Sequence, residues 1–259
     1  MSAGIVLVGG RSSRMGTSKA ALEWHGSTLL WRAAALLQRS LDGPVVVVRA
    51  PGQELPDLPD GVEVVADPVE GRGPLQGIAT GLAAVAGRAE AAFVCPTDMP
   101  LLHPAFVRRV LGALGSDVDV VLPVALGFAQ PLAAAYRTAL APRVAALVAA
   151  GRMRPAMLFA EVAVLRLDEA ALLADPDLAA ADPALDSLLN VNEPTEYRRA
   201  RDRPAPEVTV VASGTSTTVR ASTLGSVDIP ATATVTLNGV PIRPAPGFPL
   251  VAGDNIALT

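Results

Sequence analysis

Residues 5–19 read IVLVGGRSSRMGTSK, an apolar run that ends in two glycines and continues as a polar loop. Ile, Val and Leu in direct succession favour a strand that is covered on both faces. Gly9 and Gly10 allow backbone angles and close approaches that larger residues block, so successive N–H groups can surround phosphate oxygens. Arg14 and Lys19 add positive charge. The segment predicts a strand followed by a phosphate-binding loop; the alternative is an ordinary βα turn with solvated basic residues.

Two common phosphate loops do not fit this spacing. A P-loop has four residues between its first glycine and a Gly-Lys pair. Here five residues separate Gly10 from Gly16, and Lys19 follows Gly16 by three. The Gly-x-Gly-x-x-Gly fingerprint of dinucleotide-binding folds is absent from the loop as well. The loop therefore indicates a different class of nucleotide-binding protein.

Strand-like and helix-like stretches alternate beyond this loop. Further strands are expected over residues 45–48, 62–65, 91–95, 118–123 and 132–136, and helices over residues 28–41, 75–85 and 104–114. Such alternation predicts an α/β fold, here a Rossmann-like, mostly parallel sheet with helices on both faces.

The composition changes after about residue 201. Residues 201–206 read RDRPAP, which is typical of a linker because its prolines cannot continue a helix. Strand-forming Val, Thr and Ile then dominate residues 208–211, 217–220, 232–237 and 255–258. Asn238-Gly239 between two such runs is a strong hairpin signal. We predict a domain over residues 1–203 and a small β-rich C-terminal module over residues 204–259.

Charge and composition exclude several classes of protein. The chain has 259 residues and a net charge of −4, which argues against nucleic-acid and anionic-membrane binding. The longest apolar stretch, residues 120–136, contains prolines and falls short of the roughly 20 residues that a spanning helix needs. The single cysteine, Cys95, excludes an intrachain disulfide and fits a reducing compartment. No basic leader precedes residue 5, so we expect a soluble cytoplasmic protein.

The loop at residues 7–19 resembles the signature loop of nucleotidyltransferases that make sugar nucleotides and modified molybdopterin cofactors. Four further motifs follow in order: Asp67-Pro68 with GPLQGI at 73–78, CPTDMPLL at 95–102, QPLAAAY at 130–136 and NVNEP at 190–194. The ordered set, over roughly residues 3–201, is similar to that of the molybdenum cofactor guanylyltransferases. The resemblance implies the nucleotide-diphospho-sugar transferase type of fold and transfer of GMP from GTP to the phosphate of molybdopterin, with Mg²⁺ as cofactor and pyrophosphate as the second product.

The resemblance also implies roles for individual residues. It assigns catalysis to Lys19, Asp98 and Arg14, and the metal to Asp98. It assigns nucleotide binding to Leu7, Val8, Gly9, Gly10, Lys19, Asp67, Gly73, Gly77 and Asp98, and substrate binding to Asn190 and Asn192. The alternatives are turn aspartates beside prolines, glycines that only give loop flexibility, and asparagines that bond within a local turn.

Two of these assignments also have support in the residues themselves. Asp98 follows a predicted strand, and ligands of open α/β sheets bind at the carboxyl ends of strands. A carboxylate there can bind Mg²⁺, which prefers oxygen ligands and phosphates. Asn190 and Asn192 point to the same side of an extended segment, because side chains alternate along it.

Base specificity is open at one position. Family members can carry an asparagine that touches the nucleotide at the end of the second strand, where this chain has Val48-Arg49-Ala50. The alternatives are therefore a molybdopterin cytidylyltransferase, another small-molecule guanylyltransferase, or a non-catalytic nucleotide-binding adaptor. Molybdoenzyme apoproteins or cofactor-insertion proteins are the protein partners that the resemblance implies.

The C-terminal module resembles small ubiquitin-like sulfur carriers of the β-grasp type. Such carriers need a C-terminal Gly-Gly, whereas this sequence closes with Ala257-Leu258-Thr259. We also find no helix signal between Ser222 and Pro230. A degenerate, a regulatory and a purely structural module are the alternatives to a carrier.

Overall fold

A computed structural model describes residues 1–8, 18–69, 71 and 73–259. The strands and helices of the first two-thirds of the chain are β1 (Ser2–Val8), β2 (Glu23–Trp24), β3 (Ser27–Thr28), α1 (Leu29–Ser40), β4 (Val45–Arg49), β5 (Glu63–Ala66), α2 (Pro74–Val85), β6 (Ala91–Pro96), α3 (Pro104–Gly112), β7 (Val120–Ala125), β8 (Phe128–Ala129), β9 (Ala134–Arg137), α4 (Ala141–Ala149), α5 (Pro155–Phe159), β10 (Val164–Asp168) and α6 (Glu169–Leu173). The remaining elements are α7 (Pro176–Ala181), α8 (Pro194–Arg201), β11 (Glu207–Ala212), β12 (Thr215–Arg220), β13 (Val235–Leu237), β14 (Val240–Ile242) and β15 (Asn255–Leu258).

The large sheet has the strand order β10-β7-β9-β6-β1-β4-β5, with β8 paired to β7. The pairs β6–β1, β1–β4, β4–β5 and β7–β10 are parallel. Only β8 and β9 run antiparallel to their neighbours within this sheet as described. The prediction of a mostly parallel sheet is confirmed.

Helices cover both faces of this sheet, as predicted. The four valines of β4 alternate between the faces: Val45 and Val47 belong to one buried cluster, Val46 and Val48 to the other. The first cluster includes residues of α1 and α3, and the second includes residues of α2 and α4. Both faces of β4 are buried, so none of its side chains points to solvent. This explains why residues 45–48 are all apolar.

Helix α2 lies very close to β1 at Gly81. A Cβ atom built on Gly81 would lie 2.4 Å from Cγ2 of Ile5, a fully buried strand residue. Branching at Cβ restricts the χ1 rotation of Ile5, and its full burial leaves the side chain little room to move. The glycine therefore permits the helix to contact the sheet that carries the site.

We expect Gly81→Ala to lower the free energy of unfolding by about 1–2 kcal/mol, because overpacking outweighs the gain in helix propensity. Urea denaturation would measure it. Gly112→Ala in α3 is the matched control, since a Cβ atom at that position would have nothing within 4 Å. That variant should be neutral or slightly stabilising. A stabilised Gly81→Ala protein would contradict the close packing.

The second sheet has the order β12-β11-β15-β13-β14, with β11 parallel to β15 and the other pairs antiparallel. The predicted hairpin is present: Asn238 and Gly239 have φ values of 50° and 81°, as a type I′ turn requires. Between Ser222 and Pro230 the structure has only a short 3₁₀ turn, Leu224–Ser226. The C-terminal region is therefore β-rich, as expected.

In the part of the chain that the structure describes, no helix combines the length and the apolar character needed to cross a membrane.

Candidate active site

Lys19 and Asp98 contact each other at the edge of the large sheet that is formed by the carboxyl ends of its central strands. β1 and β6 are parallel neighbours with Leu7 opposite Pro96, so the segments that follow them leave from the same edge. Lys19 begins a short 3₁₀ helix, and Asp98 lies two residues beyond β6. Open α/β sheets place their ligands at this edge.

The Lys19 ammonium lies between two oxygen atoms from distant parts of the chain. Its Nζ donates to Oδ2 of Asp98 at 2.8 Å and to Oδ1 of Asn192 at 2.7 Å. The Lys19 and Asp98 side chains are 21% and 16% exposed. We call these three residues the Lys19–Asp98–Asn192 cluster. Partial burial strengthens its internal electrostatics and leaves it accessible to a small ligand.

Backbone and carboxylate bonds fix the Asn192 end of the cluster. The N–H of Val191 donates to the carbonyl oxygen of Asp98 at 2.9 Å. The Glu196 carboxylate accepts from the N–H groups of Asn192 and Glu193 in the capping box of α8. The asparagine segment is thus attached both to the Asp98 segment and to a helix N-terminus.

The structure brings only one of the two predicted asparagines to Lys19. Asn190 donates through Nδ2 to the carbonyl oxygen of Leu188 at 3.3 Å, a bond within its own turn. Asn192, by contrast, accepts directly from the Lys19 ammonium. The alternation of side chains did not predict this difference, because the segment is not a regular strand.

Asp67 lies at the end of β5, on the α2 side. Its N–H donates to the Arg49 carbonyl at 2.8 Å, and its Oδ1 accepts from the Thr80 hydroxyl at 2.6 Å. Burial raises the pKa of the Asp67 carboxyl, and the Thr80 hydrogen bond partly offsets this. The group is therefore held in place by α2 and is available to accept a hydrogen bond from a ligand hydroxyl.

Gly73 and Gly77 are needed for different reasons, the first for its backbone angle and the second for close packing. Gly73 is the N-cap of α2 with φ of 80°, a conformation that strongly favours glycine. A Cβ on Gly77 would lie 3.2 Å from Leu7 and 3.8 Å from Oδ2 of Asp67. Leu7 and Val8 are themselves buried in β1. The predicted contacts of Gly9, Gly10 and Arg14 lie outside the described residues.

Sequence reasoning missed three buried or partly buried polar residues near this edge. Thr80 binds Asp67, and Gln76 donates to the Thr80 hydroxyl at 3.4 Å from one turn earlier in α2. Arg32 is 4% exposed and donates to the Pro100 carbonyl at 2.6 Å. Its signal was present: it is a lone charge within LLWRAAALL, on a helix whose neighbouring residues are apolar.

Cys95 is fully buried in β6, three residues before Asp98. Burial, with a smaller contribution from the negative charge of Asp98, raises the pKa of its thiol. A nucleophilic cysteine needs a lowered pKa and exposure. Cys95 is therefore a buried residue of the strand that the sequence predicts over residues 91–95, and not a nucleophile.

We expect the folded protein to react with iodoacetamide at pH 8 at least about 100-fold more slowly than the unfolded chain, since the thiol is protonated and shielded. Mass spectrometry with and without denaturant would measure the two rates. Rapid alkylation of the native protein would show that β6 opens readily.

The oxygen atoms of the cluster suit a divalent ion that is bound mainly through substrate phosphates. Mg²⁺ in nucleotide sites takes one or two carboxylates and completes its shell with phosphates and water. Asp98 is such a carboxylate. The Asn192 amide oxygen is close to it, since both accept hydrogen bonds from the Lys19 ammonium. Within residues 1–8, 18–69, 71 and 73–259, no group of three or more His, Cys, Asp or Glu side chains could hold a metal by itself.

The chain is similar to a known family and to named proteins. The family model described as "MobA-like NTP transferase domain" matches residues 4–165. A Mycobacterium avium protein named "Probable molybdenum cofactor guanylyltransferase" is 42% identical over 153 residues, which are 58% of this chain and 76% of that protein.

Two solved structures show the same fold. Molybdopterin-guanine dinucleotide biosynthesis protein A from Archaeoglobus fulgidus superposes with a TM-score of 0.59 at 21% identity, covering 77% of this chain and 97% of that one. A Mycobacterium tuberculosis protein, solved in complex with manganese, gives a TM-score of 0.50 at 19% identity and covers 78% of this chain and 98% of its own.

Proposed function

This chain belongs to the MobA-like NTP transferases, with molybdenum cofactor guanylyltransferases as relatives, and we propose that it transfers GMP from GTP to the phosphate of molybdopterin. The observation that carries the proposal is the Lys19–Asp98–Asn192 cluster at the carboxyl edge of the sheet. An ammonium beside a carboxylate and an amide oxygen is chemistry suited to a nucleoside triphosphate. The products are a molybdopterin guanine dinucleotide and pyrophosphate.

The reaction requires positioning and charge neutralisation more than a protein nucleophile. An oxygen of the molybdopterin phosphate attacks the α-phosphorus of GTP, and the bond to the β-phosphate oxygen breaks in line. A phosphate nucleophile is already ionised at neutral pH, so no general base is needed. Lys19 supplies positive charge to the phosphates, and Arg14 is proposed to add to it.

Asp98 is the residue that we propose as metal ligand, with the Asn192 amide oxygen as a second oxygen nearby. These residues would hold a divalent ion that would supply positive charge to the phosphates. A solved structural neighbour is a complex with manganese, which supports divalent-metal use. We propose Mg²⁺ as the ion for this chain, because hard oxygen ligands and phosphates favour it.

The remaining site residues are proposals of the same kind. Asp67, fixed by Thr80, would accept a hydrogen bond from the base or ribose. Gly73 and Gly77 would let α2 approach the nucleotide, together with Leu7, Val8, Gly9 and Gly10 at the end of β1. Asn192 would face the pterin substrate or the phosphates, and Asn190 would do so only if its amide leaves the Leu188 carbonyl.

Pyrophosphate release with purified molybdopterin, Mg²⁺ and each of GTP, CTP, ATP and UTP tests the proposed function. We expect release with GTP that depends on molybdopterin. A preference for CTP would identify a cytidylyltransferase, the alternative left open by Arg49 at the end of β4. Nucleotide binding without release from any of the four would leave an adaptor or a guanylyltransferase that uses a different small-molecule acceptor.

We further propose that the domain boundary lies between residues 203 and 204. Among the described residues, the large sheet and the second sheet, β11–β15, share no strand. Buried residues of β11, β13 and β15 form a hydrophobic cluster that is separate from the clusters of the large sheet. A β-grasp relationship for residues 204–259 stays a prediction. Cytoplasmic location and delivery to molybdoenzyme apoproteins or cofactor-insertion proteins stay predictions as well.

A further inference from the structure

A buried arginine on the first helix joins the C-terminal module to the segment that carries Asp98. Arg32 lies in α1 and is 4% exposed. Its Nε donates to the carbonyl oxygen of Pro100 at 2.6 Å, two residues beyond Asp98. Its Nη1 and Nη2 donate to the carbonyl oxygens of Ser222 at 3.3 Å and Leu250 at 3.4 Å, both in the module. One guanidinium therefore spans the module and the site.

The chemistry of this contact requires an arginine. Burial, with repulsion from Arg39, lowers the pKa of Arg32 to about 10, and the charge of Asp254 opposes that change. The side chain stays cationic at neutral pH, and charge-assisted hydrogen bonds are stronger than neutral ones. A guanidinium donates hydrogen bonds in several fixed directions from a planar group. A lysine ammonium is a compact charge at one atom and cannot reach three separated carbonyls at once. Removal of Arg32 would leave its three carbonyl acceptors without this donor.

Other contacts hold the module on the same surface. Arg39, two turns after Arg32, donates to Asp254 at 2.5 and 2.9 Å and to the Pro249 carbonyl at 2.9 Å. The Nε2 atom of His103 is 3.2 Å from the carbonyl oxygen of Ala252 in the module. The Nδ1 atom of the same ring accepts from the N–H of Ala105 at the start of α3. Val251 is buried in the core cluster of the large sheet. The module therefore contacts residues 97–103 directly at His103 and, through the Arg32 guanidinium, indirectly at Pro100.

We propose that Arg32 is a positioning residue that holds residues 97–103, and with them Asp98, against the docked C-terminal module. The inference rests on the proposed function, since it assumes that Asp98 acts in nucleotidyl transfer. It gives the module a role in the transferase itself: the module supplies two of the three carbonyls that fix the Arg32 side chain. The segment is then held at two backbone carbonyls: that of Asp98 accepts from Val191, and that of Pro100 accepts from Arg32.

The test compares full-length wild-type protein with Arg32→Lys, Arg32→Met and the control Arg39→Lys. Arg39→Lys makes the same exchange on the same helix, but the described hydrogen bonds of Arg39 go to the module alone. Pyrophosphate release with GTP, Mg²⁺ and molybdopterin gives kcat and the KM for GTP. Amide hydrogen exchange of residues 97–103 gives a readout that does not depend on activity.

We expect Arg32→Met to lower kcat by about tenfold or more with little change in the KM for GTP, because a displacement of about 1 Å in a catalytic group has effects of this order. Arg32→Lys should recover part of kcat, since it keeps the charge and can reach one carbonyl. Exchange should increase in residues 97–103 for both variants. Arg39→Lys should keep kcat within about threefold of wild type, with faster exchange confined to residues 249–254.

Unchanged kcat and unchanged exchange of residues 97–103 in the Arg32 variants would overturn the inference. Equal losses in Arg32→Lys and Arg39→Lys would also overturn it, because the effect would then come from module docking in general. If Arg32→Met does not fold, Arg32→Lys decides between these results. Wild-type protein without pyrophosphate release would refute the proposed function instead, and the exchange measurement would still test the contact.

Discussion

Replacing Asp98 with alanine is expected to lower kcat for pyrophosphate release by about a thousandfold or more, because a preorganised charge at the reacting phosphates is lost. The change removes the carboxylate that contacts Lys19 at 2.8 Å and that we propose as the metal ligand. Asp98→Asn keeps the shape and an acceptor for Lys19 but removes the negative charge. Both variants should be nearly inactive if the charge is what matters.

The fold should survive these substitutions. Asp98 lies in a turn at the end of β6, and its backbone carbonyl still accepts from Val191 in either variant. Lys19 stays 21% exposed and keeps the Asn192 amide oxygen as an acceptor, so loss of its pair with Asp98 should cost about 1–2 kcal/mol, less than the loss of a fully buried pair. Circular dichroism and thermal unfolding would establish that the variants are folded.

Asp228→Asn is the control, since this exposed aspartate lies in the C-terminal module. It should keep wild-type kcat under the same assay. Near-normal turnover by Asp98→Ala with GTP, Mg²⁺ and molybdopterin would show that the catalytic assignment is wrong. Loss of activity in Asp98→Ala but not in Asp98→Asn would show that the hydrogen bond, rather than the charge, is required.

The main sheet was predictable because its local patterns agree with its tertiary environment. Val45–Val48 has four apolar residues in succession, and the structure covers that strand on both faces. The run at 62–65 was also expected to be a strand, but it reads VEVV, and it forms β5 at the edge of the sheet, where Val64 is 44% exposed. Strand order depends on crossover connections, which the apolar pattern of one strand does not contain.

The antiparallel strand β9 is a second feature that the pattern did not contain. A strand was expected over residues 132–136, and it lies between β7 and β6. Its direction follows from the short connection through β8, because only antiparallel strands can be joined by so few residues. Alternation of strands and helices indicated the class of fold but not this local reversal.

The site was partly predictable for the same reason. Lys19 and Asp98 follow adjacent parallel strands, so their proximity follows from the topology. Asn192 is 173 residues from Lys19 in sequence, and only the motif resemblance pointed to it. Arg32 was missed because a single charge in a helix is usually solvated, and its carbonyl partners lie 68, 190 and 218 residues away.

The buried Arg39–Asp254 pair should be the largest single electrostatic contribution to docking of the C-terminal module. The two side chains are 8% and 2% exposed. Asp254 also accepts from the Val251 N–H at 2.8 Å and from the Asn238 amide at 3.0 Å, so its remaining acceptor sites are occupied. A buried pair with satisfied hydrogen bonds is costly to break, because removal of one partner leaves the other charge uncompensated.

We therefore expect Arg39→Met to lower the free energy of unfolding by about 3–5 kcal/mol, measured by urea denaturation. The double variant Arg39→Met with Asp254→Asn should recover part of that loss, since it leaves no unpaired carboxylate. Glu207→Gln is the matched control in the same module: its pair with Arg220 is 58% and 59% exposed and should contribute less than about 1 kcal/mol. Equal effects at the buried and exposed pairs would mean that the Arg39–Asp254 pair does not hold the module, and that its docking depends on other contacts, such as Val251 in the core and His103 at the Ala252 carbonyl.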